Sequence, residues 1–204
     1  APTACDCRPR CGGSTWPRMR LTWEWIARAD HGPIEHTIRI QNFGKQEIWI
    51  PLQNSLNFDW QIASTRHLTA LYVEKGADTP SAEGTHEVGV EDGFEWEGRS
   101  STYAHPRPNR PREIIPFVAV QSEDGTGWYV GMEFSGRTHL TLSRTASSLR
   151  GTIGLDPEPG PFWTRLPPHG SFETPTIFLG GYAGGFDGAG NILRRWVRNV
   201  LGNP

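Results

Sequence analysis

The sequence contains no long apolar run and no excess of charge of one sign. Its 204 residues include 20 Lys and Arg and 22 Asp and Glu, which gives a net charge of −2. Because no stretch of about 18 consecutive apolar residues is present, we predict no membrane-spanning helix. The near balance of charges gives no electrostatic reason for binding to nucleic acid or to an anionic membrane, so we predict neither as a partner.

Cysteine is scarce, and the three cysteines, Cys5, Cys7 and Cys11, all lie near the start of the chain. They can form at most one intramolecular disulfide. A zinc site would need a fourth ligand, and the nearest histidine is His31. We therefore favour a disulfide or free thiols in an irregular segment, and predict no metal and no cofactor.

An extracellular or periplasmic location is favoured, and the first residue, Ala1 rather than Met, suggests processing or truncation.

Short signatures of catalysis are missing as well. The chain has no Ser-His-Asp order, no phosphate-binding loop and no dinucleotide-binding fingerprint. The acidic residues Glu91, Asp92, Glu95 and Glu97 are grouped around a turn, where a solvated face is the simplest interpretation. No pair of carboxylates indicates an acid/base site, so we predict no catalytic residue.

Glycine and proline are abundant, with 24 and 17 residues, while hydrophobic residues make up 36% of the chain. This balance is typical of short strands joined by turns rather than of a helical bundle. Apolar and polar residues alternate over 19–27 and 34–40, and a third strand over 47–52 completes a predicted antiparallel meander. Because about twelve such strands follow one another, we predict an all-β fold, a two-sheet antiparallel β-sandwich.

The end of the chain has a different pattern. A last strand is predicted over 174–179, and a glycine-dense turn follows over 180–190. Apolar residues then fall at helical spacing with arginines between them, so we predict that one C-terminal amphipathic helix closes the sandwich and is capped by Gly202. The predicted organisation is an irregular segment over 1–18, a β-sandwich over 19–190, and a closing helix with the start of a linker over 191–204.

Tryptophan is unusually frequent, with nine residues. Such large rings fill sandwich cores or stack on sugars, and composition does not distinguish the two roles. Asp59 and Trp60 resemble a sugar platform beside a carboxylate, although a core position is favoured for Trp60. The same ambiguity applies to Trp49 and to Trp23 and Trp25, which point to one face of their strand.

A proline-rich loop provides further candidates for carbohydrate binding. Tyr103, His105 and Arg107 are groups that stack on sugars and hydrogen-bond to them, but a loop held against another domain or subunit has the same composition. The closing helix and the turn before it provide candidates for docking onto a partner domain, with a solvated face as the alternative for the arginines. These docking candidates are Tyr182, Phe186, Arg195, Trp196 and Arg198.

From residue 98 onwards, the sequence contains a series of short blocks: Gly98–Ser101, Ile115–Val120, Gly127–Gly136, Ile153–Leu155, Phe162–Pro167, Gly170–Pro175 and Arg195–Asn199. Their order and spacing resemble those of the N-terminal β-supersandwich domain of family 36 glycoside hydrolases, the α-galactosidase-type enzymes. About half of the chain resembles this domain well, with one departure: Thr176 stands where the family has Glu after Pro175.

The resemblance implies a galactose-mutarotase-like supersandwich that leads through its closing helix into a (β/α)8 catalytic barrel. Family members act on α-galactosides with two barrel aspartates, and retaining enzymes hold such a pair about 5–5.5 Å apart. This predicts a non-catalytic N-terminal domain that docks the barrel, assembles subunits into a homo-oligomer and shapes the substrate mouth. The alternative is a self-standing carbohydrate-binding or assembly module, which an exposed tryptophan strip would favour.

Overall fold

The structure, a computed structural model, describes residues 13–16, 18–27, 32–51, 54–63, 66–75, 84–101, 113–156 and 163–202. The predictions about the three N-terminal cysteines lie outside these residues.

In chain order the strands are β1 (Gly13–Trp16), β2 (Met19–Ile26), β3 (Ile34–Asn42), β4 (Ile48–Pro51), β5 (Asn54–Gln61), β6 (Leu68–Val73), β7 (Thr85–Val90), β8 (Glu95–Ser100), β9 (Phe117–Ser122), β10 (Gly127–Met132), β11 (Thr138–Thr145), β12 (Ser148–Leu155), β13 (Trp163–Leu166), β14 (Ser171–Glu173) and β15 (Ile177–Tyr182). Helix α1 (Gly185–Trp196) follows and passes into a π-helical turn, Val197–Leu201.

The described strands form three sheets, and every pairing in them is antiparallel. The large sheet has the order β1-β2-β3-β15-β10-β9-β6-β7, with β14 also paired to β3. The small sheet has the order β5-β12-β11-β8, and β4 pairs with β13 in a two-stranded ribbon. The predicted all-β sandwich closed by one C-terminal helix is confirmed.

The main core lies between the large and the small sheet. Alternate residues of the central strands of both sheets point into it, as expected for two packed sheets. Val118, Val120 and Val130 enter from the large sheet, and Leu142 and Ile153 from the small one; all are at most 2% exposed. The hairpins β9–β10 and β11–β12 supply two adjacent strands to each of these sheets.

The outer face of the large sheet carries three aromatic rings that lie over glycines on the neighbouring strand. In the β10–β15 register, Tyr182 pairs with Gly127, Tyr129 with Gly180, and Phe178 with Gly131. A Cβ atom on any of these glycines would lie within 2.6 Å of the paired aromatic side chain. Glycine is therefore required here so that the rings can lie flat across the sheet.

Helix α1 packs on these flat rings. Its apolar side contributes Ala189, Ile192 and Leu193 to the cluster that contains Tyr129 and Tyr182. The large sheet is therefore covered on both faces at β9, β10 and β15. In the described part of the chain, no helix is both long enough and apolar enough to cross a membrane.

The helix begins at Gly185, inside the segment predicted as a turn and six residues before the predicted start. Gly184 and Gly185 have φ angles of 84° and 72°, which lets the chain turn sharply out of β15. The Gly185 amide then donates to the Gly125 carbonyl in the β9–β10 turn, 3.0 Å away. Asp187 lies in the first turn, where a carboxylate interacts favourably with the helix dipole. The helical segment ends at Gly202 as predicted, in an extended conformation.

Three strands differ from the sequence prediction. The third strand of the predicted meander, β4, leaves β2 and β3 and pairs with β13 instead. Part of the segment predicted as a solvated turn forms the strand β8. Its Glu95 and Glu97 side chains point to solvent, while Trp96 and Gly98 lie on the inward face, which explains why a strand forms there. β1 lies in the segment that was predicted to be irregular.

We expect Gly131→Ala to destabilise the fold, because the added Cβ would lie 2.2 Å from the Phe178 ring. That ring is held between Phe117 and Trp196, with centroid distances of 6.4 and 5.1 Å, so it has little freedom to move away. The expected loss of unfolding free energy is about 1–3 kcal/mol, the usual cost of overpacking. Urea denaturation of the purified chain measures it.

The matched control is Gly190→Ala, because no atom lies within 4 Å of a Cβ built at this exposed helix position. Alanine is the better helix former, so this variant should gain up to about 1 kcal/mol. Equal effects of the two substitutions would contradict the packing described here.

Candidate functional site

Two tryptophans lie on one face of the ribbon formed by β4 and β13. In its register Trp163 is opposite Pro51, and Arg165 is opposite Trp49. Directly paired residues and residues two apart on one strand share a face, so these four side chains form a single surface. Trp49 is 56% exposed and Trp163 is 50% exposed. The ribbon therefore presents two indole rings, diagonally placed, to solvent.

The opposite face of the ribbon is attached to the body of the domain. Leu166 on that face is only 1% exposed. At the end of the ribbon, the buried amide of Asn42 donates to the carbonyl oxygens of Gln46, Leu166 and Pro167 at 2.8, 3.2 and 3.1 Å. The side-chain oxygen of Asn42 accepts from the Gly44 amide at 2.9 Å. One asparagine thus joins the ends of β4 and β13 to the end of β3.

A charged pair borders the two indoles. Arg165 donates from Nε to a Glu47 carboxylate oxygen at 2.5 Å, and the Arg165 side chain is 66% exposed. An exposed ion pair of this kind adds little to stability. The other hydrogen-bonding atoms of Arg165 and Glu47 are available to a polar ligand that lies on the Trp49 and Trp163 rings.

The outer face of the small sheet is polar and forms a shallow, open depression of about 350 Å³. Arg150 donates to Asp59 at 2.9 Å, and the hydroxyls of Thr141 and Thr152 are 2.8 Å apart. Trp60, predicted with Asp59 as a sugar platform, points to the other face of β5 and packs against the main core. The core position favoured for Trp60 is therefore observed, and Asp59 alone of the pair faces the depression.

The predicted Trp23–Trp25 strip is only partly exposed. Trp25 stacks on the buried His36 ring with centroids 4.0 Å apart, and both tryptophans are half-buried. Burial lowers the pKa of His36, so this ring is held in its neutral form inside the sheet. The other candidates, Tyr103, His105 and Arg107, lie outside the described residues and remain predictions.

Two of the residues predicted to dock onto a partner domain, Tyr182 and Trp196, are instead buried inside this domain, between helix α1 and the large sheet. Tyr182 is 7% exposed and Trp196 is 2% exposed. The Trp196 indole donates to a Glu35 carboxylate oxygen at 3.1 Å and fits over Gly32, where a Cβ would lie 2.7 Å from its ring. Tyr182 on β15 and Trp196 on the helix therefore help to hold the helix on the large sheet of this domain. The apolar side of an amphipathic helix packs against the nearest apolar surface, which here is this sheet. Phe186 is half-buried in the same cluster.

The remaining candidates, Arg195 and Arg198, are exposed on the outer side of the helical segment. Val197 lies between them and is 50% exposed. This part of the helix is available for contact with another surface.

Two carboxylates interact near the C-terminal end of the helix. Although much of the Glu133 side chain is exposed, partial burial raises the pKa of its carboxyl, and the nearby Glu35 carboxylate raises it further. Glu35 is buried against Trp196. Within the described ranges, no group of three or more His, Cys, Asp or Glu is placed to hold a metal ion.

Sequence reasoning missed Trp163 as a candidate binding residue, although Trp49 was considered. Both belong to four-residue strands, and each shows only one or two alternations in the sequence. Their common face follows from the long-range pairing of β4 with β13, which no local pattern indicates. The signal available in the sequence was an aromatic residue two positions before an arginine in a short strand.

Comparison with known proteins relates the fold to α-galactosidases. No protein-family model matches this chain, and no curated protein matches it. The galactosidase domain of the α-galactosidase–sucrose kinase AgaSK matches 89% of the chain, with a TM-score of 0.70 and 15% identity. The α-galactosidase from Lactobacillus brevis matches 88%, with a TM-score of 0.71 and 14% identity. The family 36 α-galactosidase AgaA from Geobacillus stearothermophilus, in complex with stachyose, matches 91%, with a TM-score of 0.69 and 17% identity.

The chain spans only 23–25% of the length of these three proteins. At such low identities the likeness concerns the fold. The resemblance that the sequence blocks indicated is confirmed at that level, and it extends over about nine tenths of the chain rather than the half that was matched by sequence.

We expect Glu133→Gln to stabilise the fold only where Glu133 is ionised. Folding raises the pKa of this carboxyl above its unfolded value, which is near 4.5. Its contribution to the free energy of unfolding is therefore fully present below pH 4.5 and is lost as the pH rises through the pKa of the folded state. The variant and wild type should therefore melt together below pH 4.5, and the variant should melt higher at neutral pH. The gain should be at most about 0.5 kcal/mol because the side chain is partly exposed.

Calorimetry at a series of pH values measures this difference. Glu95→Gln removes one negative charge from the outer face of the small sheet and is the control. A stability gain for Glu133→Gln that does not change with pH would contradict the raised pKa of the Glu133 carboxyl.

Proposed function

We propose that this chain is the non-catalytic N-terminal domain of an α-galactosidase-like glycoside hydrolase. One observation carries the proposal: about nine tenths of the chain superimposes on about a quarter of each of several α-galactosidases. The ordered sequence blocks are a second support, because they are a property of the amino-acid sequence and do not depend on the superposition of folds. In this proposal the catalytic aspartates belong to a (β/α)8 barrel, and the domain supports barrel docking, subunit assembly and the substrate mouth.

The exposed side of the helical segment is the proposed docking surface for the barrel. Tyr182 and Trp196 fix the helix to the large sheet, so the segment after Trp196 is presented on a rigid base. Arg195 and Arg198 contribute positive charge, and Val197 contributes an apolar contact. Mixed apolar and charged surfaces of this kind are typical of contacts between domains of one chain.

The second candidate function is a self-standing carbohydrate-binding or assembly module. The exposed Trp49 and Trp163 favour it, because an exposed tryptophan strip is the feature that separates a binding module from a supporting domain. The depression beside Asp59 and Arg150 is a further polar surface of suitable size. An α-galactoside is the proposed ligand class in both functions.

The intact mass of the native material, measured together with hydrolysis of p-nitrophenyl α-galactoside, tests the proposal. We expect a polypeptide several times heavier than 22.8 kDa that releases p-nitrophenol, because the chain covers only a quarter of its structural neighbours. Residues 1–204 produced alone are the control and should show no hydrolysis. A native mass of 22.8 kDa without hydrolysis would contradict the supporting-domain function and leave the binding module.

In the full-length enzyme, we expect Arg195→Glu/Arg198→Glu to weaken barrel docking and lower the hydrolysis rate, because charge reversal opposes the contacts proposed for this surface. Limited proteolysis should then release the sandwich domain faster. Arg18→Glu/Lys45→Glu makes the same change of net charge at exposed positions near the end of β3, whereas Trp196 packs at Gly32 before the start of β3, and this variant should behave as wild type. Equal loss of activity in both double variants would contradict the proposed docking surface.

A further inference from the structure

We propose that the ribbon of β4 and β13 is a glycan-binding site, in which Trp49 and Trp163 stack on the apolar faces of neutral pyranose rings. Arg165 and Glu47, beside the rings, would hydrogen-bond to the sugar hydroxyls. The proposal names the binding surface and the ligand class of the second candidate function and rests on that function, but it does not require that the chain be joined to a barrel.

The first argument is the arrangement of the two rings. They are diagonal neighbours across an antiparallel pair, where Cα atoms are about 7–8 Å apart. Two indoles at this spacing can contact adjacent sugar units of one oligosaccharide. The rings share one face, so both can contact the same side of one ligand.

The second argument is that the site is rigid before any ligand binds. Asn42 holds the carbonyls of Leu166 and Pro167 at one end of the ribbon, and Leu166 is buried beneath it. A surface already fixed in its binding geometry loses less conformational entropy on binding. Leaving two large rings in water costs free energy, and neither belongs to the apolar clusters of the described core.

The third argument separates these tryptophans from the others whose burial the structure describes. Trp60, Trp96 and Trp128 pack against the main core, and Trp196 is buried between its helix and the large sheet. Trp23 and Trp25 are half-buried, and Trp25 stacks on the buried His36 ring. Those rings have structural roles. Trp49 and Trp163 contribute little to the packing of the sandwich and remain available to a ligand.

Size and charge favour a sugar over a macromolecular partner. About half of each ring is exposed, which amounts to roughly 250 Å² for the pair. A stable protein interface needs roughly 800 Å² on each side. Among the four described side chains of this face, Arg165 is the one cation, and it is paired with Glu47, whereas binding to phosphate backbones requires several free cations. A small, flat, uncharged ligand with hydroxyl groups at its edges fits both features.

Native gel electrophoresis of the 204-residue chain tests the proposal, with galactomannan, xylan or mixed-linkage β-glucan in the gel. At least one of these neutral polysaccharides should retard the wild-type protein. Trp49→Ala/Trp163→Ala should reduce the affinity by at least about tenfold, and it leaves the net charge unchanged, so mobilities can be compared directly. Trp49→Phe/Trp163→Phe keeps aromatic rings and should retain part of the retardation.

Phe134→Ala is the matched control, since Phe134 is an aromatic residue 38% exposed after β10, away from the ribbon. It should be retarded as strongly as wild type. Calorimetry should show a cooperative unfolding transition for every variant, and the phenylalanine variant keeps the test informative if the alanine variant does not fold.

Three results would overturn the proposal. The first is wild-type protein that none of the polysaccharides retards. The second is an alanine variant that folds and is retarded like wild type, which would place sugar binding elsewhere, for instance beside Asp59. The third is wild-type protein that forms oligomers while the alanine variant dissociates without a change in retardation, which would make the ribbon a protein interface.

Discussion

The packing of three aromatic rings over glycines is the constraint on which the rest of the structure depends. Because Gly127, Gly131 and Gly180 have no side chains, the rings opposite them lie flat instead of standing away from the large sheet. The flat surface accepts helix α1, and the helix excludes water from the outer face of β9, β10 and β15. These central strands are therefore buried on both faces, which is unusual for an antiparallel sheet.

The surfaces left for function are those that this packing does not use. The small sheet keeps its outer face polar, with paired charges and hydroxyls in a shallow depression. The ribbon is held from below by Asn42 and Leu166, and it keeps two tryptophans in solvent. The helical segment is anchored through Trp196 and exposes its arginines. A supporting domain and a glycan-binding surface are therefore compatible on one fold, because they use different faces.

Local alternation predicted the strands with long, regular patterns, such as β2 and β3, and hence the fold class. It failed for β8, where Glu95 and Glu97 alternate with Trp96 and Gly98, because a charged strand at a sheet edge has the composition of a turn. It also placed the start of the helix at residue 191. The positive φ angles of Gly184 and Gly185 let α1 begin earlier, while the glycines that follow continue the helix despite their low helix propensity.

By itself, the sequence determined the all-β class, the single closing helix, and the resemblance that the shared fold confirms. These features depend on local periodicity and on the order of short blocks, both of which can be read along the chain. Only the tertiary structure decided which tryptophans are buried and which face solvent. Trp49 and Trp60 lie in consecutive strands, but Trp60 packs against the core between the two sheets and Trp49 faces water. That difference arises because β5 pairs with β12 while β4 pairs with β13, and pairings across about 90 to 115 residues leave no local trace in the sequence.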